Sequence, residues 1–284
     1  MSDSVCVGYA HPGEVNGRFA QCLVTFMMKD SLREPKFYGG KKLVKGSGPR
    51  ITRGIGSYIQ VESGPRIAST RNLIVHRFLT LTTCEWLWML DADITFDDSV
   101  LDKLLEAADP VERPIVTGLY FGGGRSGEVF PIMYTIVDPK TNDGNPISAL
   151  KEWPPGEVIK IDGTGAGCML MHRSALEKME QHYPAPYHWF METVYAGMEF
   201  GEDWTFCVRA AKIGIPIYCH TGVNLGHCKT FEIREENYFN PMKGVPAHPL
   251  QDLPNHLQPN VEIIGEKGTD PQVMKRPQQL TRIL

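Results

Sequence analysis

The stretch Glu85-Trp86-Leu87-Trp88-Met89-Leu90-Asp91-Ala92-Asp93 constrains the fold more than any other part of the chain. Five consecutive apolar residues suit a core strand buried on both faces, which requires helices on either side of its sheet. Two carboxylates follow at once. In an open α/β sheet, ligands bind in the crevice at the carboxyl ends of the strands. If the strand continued, Asp91 and Asp93 would share one face, with Ala92 opposite. Asp-x-Asp also has a plainer reading, as a solvated turn or a helix cap.

The flanking sequence alternates strand and helix signals. Val5 to Tyr9 is a short apolar run ending at Ala10-His11-Pro12-Gly13, and Phe19 to Met28 carries apolar residues at helical spacing. Tyr38 to Gly56 reads as a long surface loop, and Ser57 to Ser63 as a second strand. Ile67 to Leu81 keeps helical period, with Arg71-Asn72 in an early turn. After Asp93, Asp97 or Asp98 is placed to cap a helix from Val100 to Ala108 that Asp109-Pro110 closes. Strands are then expected at Pro114 to Tyr120, Phe130 to Val137, Ile147 to Trp153, Val158 to Asp162, Cys168 to His172 and Ile215 to Cys219. Ser174 is placed to cap a helix to His182, and Glu202-Asp203 opens another that stops at Gly214. The expected class is α/β, a mixed sheet flanked by helices in three layers. Residues 1–239 are read as one domain and 240–284, rich in Pro and polar residues, as a tail or extension. There is no internal repeat.

Bulk properties narrow the function by exclusion. A net charge of −4 and a pI near 6.1 give no global electrostatic drive toward nucleic acid or membrane. Lys29 to Arg53 is locally basic, with eight Lys/Arg against Asp30 and Glu34, and reads either as a phosphate-facing patch or as a solvated loop. Seven cysteines, an odd number without C-x-x-C spacing, suit a reducing compartment. The start carries no signal-peptide pattern, and no apolar run approaches the roughly 20 residues that span a bilayer. The expected location is cytoplasmic, with no membrane span; a homo-oligomer is compatible with everything in the sequence.

The sequence offers several groups that could converge on the strand end. Asp91, Asp93 and a late His such as His227 form an oxygen-oxygen-nitrogen set suited to Mn²⁺ or Mg²⁺ completed by phosphate oxygens. A single histidine is more often structural, but Gly226 and a preceding strand put His227 near a strand terminus. Glu202-Asp203 reads either as first-turn acids favoured by the helix dipole or as a general base facing the crevice. Gly163-Thr164-Gly165 permits close backbone approach to a substrate or simply a tight turn. The aromatics from Tyr187 to Phe190, Trp189 among them, either line a sugar face or fill the core. Gly122-Gly123-Gly124 is most simply a flexible turn. No G-x-S-x-G elbow, phosphate-binding G-x-x-x-x-G-K-[ST] loop or H-E-x-x-H helix is present.

Taken in order, Arg66-Ile67-Ala68-Ser69-Thr70-Arg71-Asn72, Trp86 to Asp93, Val116-Thr117-Gly118-Leu119-Tyr120, Gly163 to Gly167, Gly201 to Cys207 and Leu225-Gly226-His227 resemble the nucleotide-sugar-dependent glycosyltransferases of GT-A type. The likeness is to the family 2-like enzymes of bacteria and their phages. It implies a GT-A fold and transfer of a sugar from a UDP- or GDP-linked donor to a hydroxyl of a glycan or protein. It further implies that Asp93 and His227 hold the divalent metal, with Asp91 on metal or ribose. Tyr9, Ala10, His11 and Glu62 would hold the nucleobase, Arg71 and Ala92 would contribute to the donor site, and Asp203 with Glu202 would face the acceptor. Gly163, Thr164, Gly165 and Trp189 fall to the acceptor or sugar side. The chain lacks the Q-x-x-R-W stretch of many inverting family 2 enzymes, so stereochemistry is left undetermined. Two alternatives stand beside this reading. One is transfer to modified bases of DNA, with Lys41, Lys42 and Lys45 on phosphate; the other is a non-catalytic module that binds nucleotide sugar.

Overall fold

A computed structural model describes residues 5–31, 58–123, 129–142, 145–195 and 198–229. The basic segment beyond residue 31, the last glycine of Gly122-Gly123-Gly124 and the 240–284 tail therefore lie outside the described residues. In chain order the elements begin with β1 (Val5–His11), α1 (Gly17–Ser31), β2 (Tyr58–Glu62), α2 (Ile67–Leu81), β3 (Trp86–Asp91), β4 (Ile94–Thr95) and α3 (Val100–Ala107). Next come β5 (Ile115–Leu119), β6 (Phe121–Gly123), β7 (Val129–Pro131), β8 (Met133–Ile136), β9 (Ile147–Ala149), β10 (Val158–Ile161), β11 (Gly163–Thr164) and β12 (Cys168–His172). The last are α4 (Arg173–His182), β13 (Thr193–Tyr195), β14 (Met198–Phe200), α5 (Glu202–Lys212), β15 (Ile217–Asn224) and β16 (Gly226–His227).

Seven strands form the central sheet in the order β10-β15-β5-β12-β3-β1-β2. β1 runs parallel to β2 and β3, and β15 parallel to β5, while β12 and β10 run antiparallel to their neighbours. This is the mixed α/β sheet flanked by helices that the sequence leads one to expect.

β3 shows why. Its side chains alternate between the two faces of the sheet, and both faces are core. Trp86, Trp88 and Leu90 pack with Phe19 and Phe26 of α1 and Leu101 and Leu104 of α3. Leu87 and Met89 pack with Ile74 and Phe78 of α2, Leu176 and Met179 of α4, and Phe206 of α5. Full burial of each such side chain is worth about 1.5–3 kcal/mol. The apolar run therefore acts as the central beam between two helical layers.

Several boundaries differ from expectation. Residues 130–137 divide between β7 and β8, which join different small sheets. Regular pairing after Ile147 ends at Ala149, and β15 begins later than expected but continues to Asn224. α4 starts at Arg173, so its cap is the His172 side chain, which accepts from the Ser174 N–H. Asp97 caps no helix; its Oδ1 accepts from the Ser99 N–H at 2.7 Å in a turn just before α3.

Candidate functional site

Three parallel strands end side by side. In register, His11 of β1 faces Glu62 of β2 and Ala10 faces Asp91 of β3, so the crevice expected at the carboxyl ends of these strands begins here. Beside it opens a cleft of about 590 Å³, within the usual size of a small-molecule site. Asp91, Asp93, Arg71, Asp203, His227 and Lys229 all line it.

β3 does not continue through Asp93. The chain turns at Ala92-Asp93 into β4, and that turn separates the two carboxylates. β4 pairs antiparallel with β16, setting Ile94 opposite His227 and Gly226 opposite Thr95. Gly226 is required by this pairing, because a Cβ there would stand 2.1 Å from Thr95 Oγ1. The ladder brings His227 Nε2 to 3.2 Å from Asp93 Oδ2. His227 Nδ1 lies 2.8 Å from the Phe121 carbonyl oxygen, which can only accept, so Nδ1 carries a proton. Nε2 faces the carboxylate, so the two side chains present a nitrogen and an oxygen to one point of the cleft. Lys229 Nζ reaches the same Oδ2 at 3.1 Å. Burial pushes Asp93 upward, but hydrogen bonding and charge from His227 and Lys229 outweigh it and hold the carboxyl below its ordinary range.

Asp91 belongs to a different group. The buried Arg71 guanidinium donates from Nη2 to both Asp91 oxygens, at 2.9 and 3.0 Å, and from Nη1 to Glu202 Oε1. Burial disfavours the charge on Arg71, yet the Asp91 and Glu202 charges more than restore it. The expected metal set of Asp91, Asp93 and His227 therefore needs correcting. Asp91 is ion-paired with Arg71, and the pair facing each other is Asp93 with His227. Among the described residues no three His, Cys, Asp or Glu side chains cluster as metal ligands. An oxygen and an imidazole nitrogen, the latter oriented by a carbonyl behind it, nevertheless suit a divalent ion that takes its remaining ligands from phosphate or water. Arg71, expected on the donor, is likewise committed to two carboxylates, and only its buried Nε lacks a partner.

Asp203 enters from the first turn of α5. Its Oδ1 accepts from the Trp204 N–H at 2.7 Å. Burial raises the carboxyl above its ordinary range, against the opposing charge of Arg71. Glu202 is raised the same way, burial again outweighing Arg71. The glycine loop makes room for these groups. A Cβ on Gly165 would stand 2.2 Å from the Tyr120 hydroxyl and 3.3 Å from Asp203 Oδ2, and one on Gly163 would stand 1.9 Å from the Trp204 ring. The loop is thus glycine because side chains already occupy the space beside it. Thr164, between them, is buried and donates its hydroxyl to the Ile132 carbonyl.

Other expected residues sit elsewhere. Trp189 is 1% exposed and donates its indole N–H to the Leu176 carbonyl, so it is a core residue with no face toward a sugar. Tyr9 and Ala10 are buried in β1, the Tyr9 hydroxyl bonding that of Tyr58 at 2.5 Å. His11 is buried too, with Nε2 2.7 Å from the Gln60 side chain. These three and Glu62 lie at the strand ends, outside the lining of the cleft. Lining residues that the sequence reading passed over include Lys229, Trp204, Tyr120 and Tyr134. Lys229 stands two residues after His227, the last residue of β16. Trp204 follows Asp203 directly. Tyr120 and Tyr134 carried no signal beyond strand propensity.

No family model matches the chain, and no curated protein matches it. Among solved structures it is similar to A197 from STIV, at 17% identity and a TM-score of 0.49 over 80% of this chain and 86% of that one. It is also similar to GalNAc-T7, solved with UDP, GalNAc and Mn²⁺, at 11% identity and a TM-score of 0.49 over 81% of this chain. The chain spans 44% of the GalNAc-T7 chain.

Proposed function

We propose that this protein is a metal-dependent glycosyltransferase of GT-A type, moving a sugar from a UDP- or GDP-linked donor to a hydroxyl acceptor. In this reading residues 1–239 are the catalytic domain and 240–284 an extension. One observation carries it: a proton-fixed histidine and a carboxylate face each other on one side of a cleft, and a buried carboxylate with a raised pKa lines the same cleft. The first pair holds Mn²⁺ or Mg²⁺, together with the donor diphosphate; when bound, the ion neutralises charge developing on the departing nucleotide. Lys229 reaches the same Asp93 oxygen and offsets its charge. Asp203 takes the acceptor proton, a task for which a carboxylate raised toward neutrality is better suited than an ordinary one. Arg71 holds Asp91 and Glu202 in place and leaves Asp203 as the free carboxylate.

The test is turnover of a panel of nucleotide sugars by purified protein with Mn²⁺. Asp93→Ala and His227→Ala are expected to abolish turnover, while Asp203→Asn loses transfer but still binds nucleotide diphosphate. Wild-type activity in these variants would remove the assignment, and a wild-type protein that neither binds nor hydrolyses any donor would remove the function. The commitment of Arg71 to Asp91 and Glu202 favours a second reading, a non-catalytic module that binds nucleotide sugar. Metal-dependent stabilisation by UDP or GDP without any turnover would select it.

A further inference from the structure

One wall of the cleft is aromatic, and it is built from residues that no expectation singled out. Trp204 and Tyr134 stand edge to face, with ring centroids 6.1 Å apart and planes at 90°. The indole is held from behind by the bare backbone of Gly163, where a Cβ would strike its ring at 1.9 Å. Both side chains line the cleft, and neither the indole N–H nor the phenol hydroxyl has a hydrogen-bond partner among the described residues. The platform is therefore rigid on its apolar side and open at its polar tips. It also adjoins the proposed base: Trp204 is the next residue after Asp203 and donates its backbone N–H to that carboxylate.

Charge decides what such a wall can accept. Asp91, Asp93, Glu199 and Asp203 line the cleft against Arg71 and Lys229, and both cations are already paired with carboxylates. A polynucleotide would bring a run of phosphates into this field and be repelled. A pyranose ring brings none. Its C–H face covers an aromatic ring, and its rim hydroxyls both donate and accept, matching the open tips of Trp204 and Tyr134 and the exposed Asn145 and Glu199 at the edge.

We infer that the Trp204–Tyr134 wall is the acceptor subsite and that the acceptor is a saccharide, not a nucleic acid. The assignment of this wall to the acceptor rests on the glycosyltransferase reading above; its affinity for a sugar ring does not. The experiment measures binding to the full chain with Mn²⁺ and UDP present, by ligand-observed NMR. Its probes are chito-, malto- and cello-oligosaccharides, a duplex and a single-stranded DNA oligonucleotide, and a Ser/Thr-rich peptide. At least one oligosaccharide series is expected to bind, and Trp204→Ala or Tyr134→Ala to weaken it about tenfold while UDP affinity stays within about twofold. Trp204→Phe, which keeps a ring on the wall and guards against misfolding of the alanine variant, is expected to retain most of the binding. The inference is overturned if no oligosaccharide binds, if DNA or peptide binds in place of saccharide, or if saccharide binding ignores both substitutions. UDP binding without saccharide binding sinks the subsite alone. Saccharide binding that depends on Trp204, in a protein that ignores UDP, keeps the subsite and sinks the transferase.

Discussion

One guanidinium serves three carboxylates in this cleft, and that ratio sets the behaviour of each. Arg71 contacts Asp91 and Glu202 directly and lowers Asp203 through its charge, while burial pushes Asp203 and Glu202 upward and prevails. If Asp203 must be ionised to accept a proton, the acid limb of kcat/KM lies above the ordinary aspartate value. Replacing Arg71 with Met removes the opposing charge, so that limb is expected to move to higher pH; a pH–rate profile of both proteins checks it. The same shifts enter stability with opposite signs. A raised carboxyl stabilises the fold below its unfolded pKa and loses that contribution as pH rises through its folded value. Asp93, held low, stabilises above its unfolded pKa and loses this as pH falls through its folded value. At neutral pH an ionised Asp203 is therefore a cost to the fold. Asp203→Asn is expected to raise Tm there while removing transfer, a trade of stability for function that thermal unfolding at pH 7 and pH 4 would reveal. At this scale the sequence was only partly legible. Asp93, His227 and Asp203 stood out by type and spacing, but the pairing of Arg71 with Asp91 did not, because it depends on where α2 lies relative to the end of β3.

Elements met from the sequence are mostly where periodicity put them, and two contacts between them explain how the site is held. The first is Gly163 against Trp204. Adding one methyl at Gly163 must push the indole or the loop aside, and overpacking of this kind costs about 1–3 kcal/mol. Gly163→Ala is expected to lower stability by that order and to weaken binding at the aromatic wall, read by denaturant unfolding and by saccharide binding. The second is Arg173, the first residue of α4. Its guanidinium donates to the carbonyls of Phe78, Leu79, Thr82 and Cys84, which are the orphan acceptors at and beyond the end of α2. It also lies over the Phe78 ring at 4.5 Å. Removing a charged donor from buried carbonyls costs about 1.5–3 kcal/mol, so Arg173→Ala is expected to lower stability by at least that order while leaving the metal pair intact. Neither contact was visible in sequence. A glycine run reads as a turn whether or not a ring fills the space beside it, and the apolar residues from Tyr187 to Phe190 gave no sign that Trp189 faces inward and Trp204 outward. The strand β3 was legible for the opposite reason, since burial on two faces leaves no polar position to obscure it.

For the whole molecule, the cleft divides into one end with Asp93, His227 and Lys229 and an aromatic end at Trp204 and Tyr134, with Asp203 also in its lining. Among the described residues no helix is long and apolar enough to cross a membrane. If the Asp93–His227 end takes a metal nucleotide, ligand binding must stabilise the folded state by about 2.7 kcal/mol at a hundredfold excess over Kd. A thermal scan with Mn²⁺ and UDP is expected to show that increment in the wild type and none in His227→Ala. The fold class could be read from the alternation of apolar runs, whereas the cleft could not, because its walls come from small sheets whose strands are only two to four residues long.

The two-residue ladder between β4 and β16 has a consequence for the order of assembly. It brings together Asp93 and His227, 134 positions apart, so the loop it closes is among the longest in the described chain and gains little from local structure. A ribosome must deliver nearly all of residues 5–229 before Asp93 meets its imidazole. The central sheet, by contrast, can begin to form once β1 to β3 are present. A chain whose last short strand has not docked has the strand-end crevice without His227, so the facing pair with Asp93 is complete only once β16 is in place.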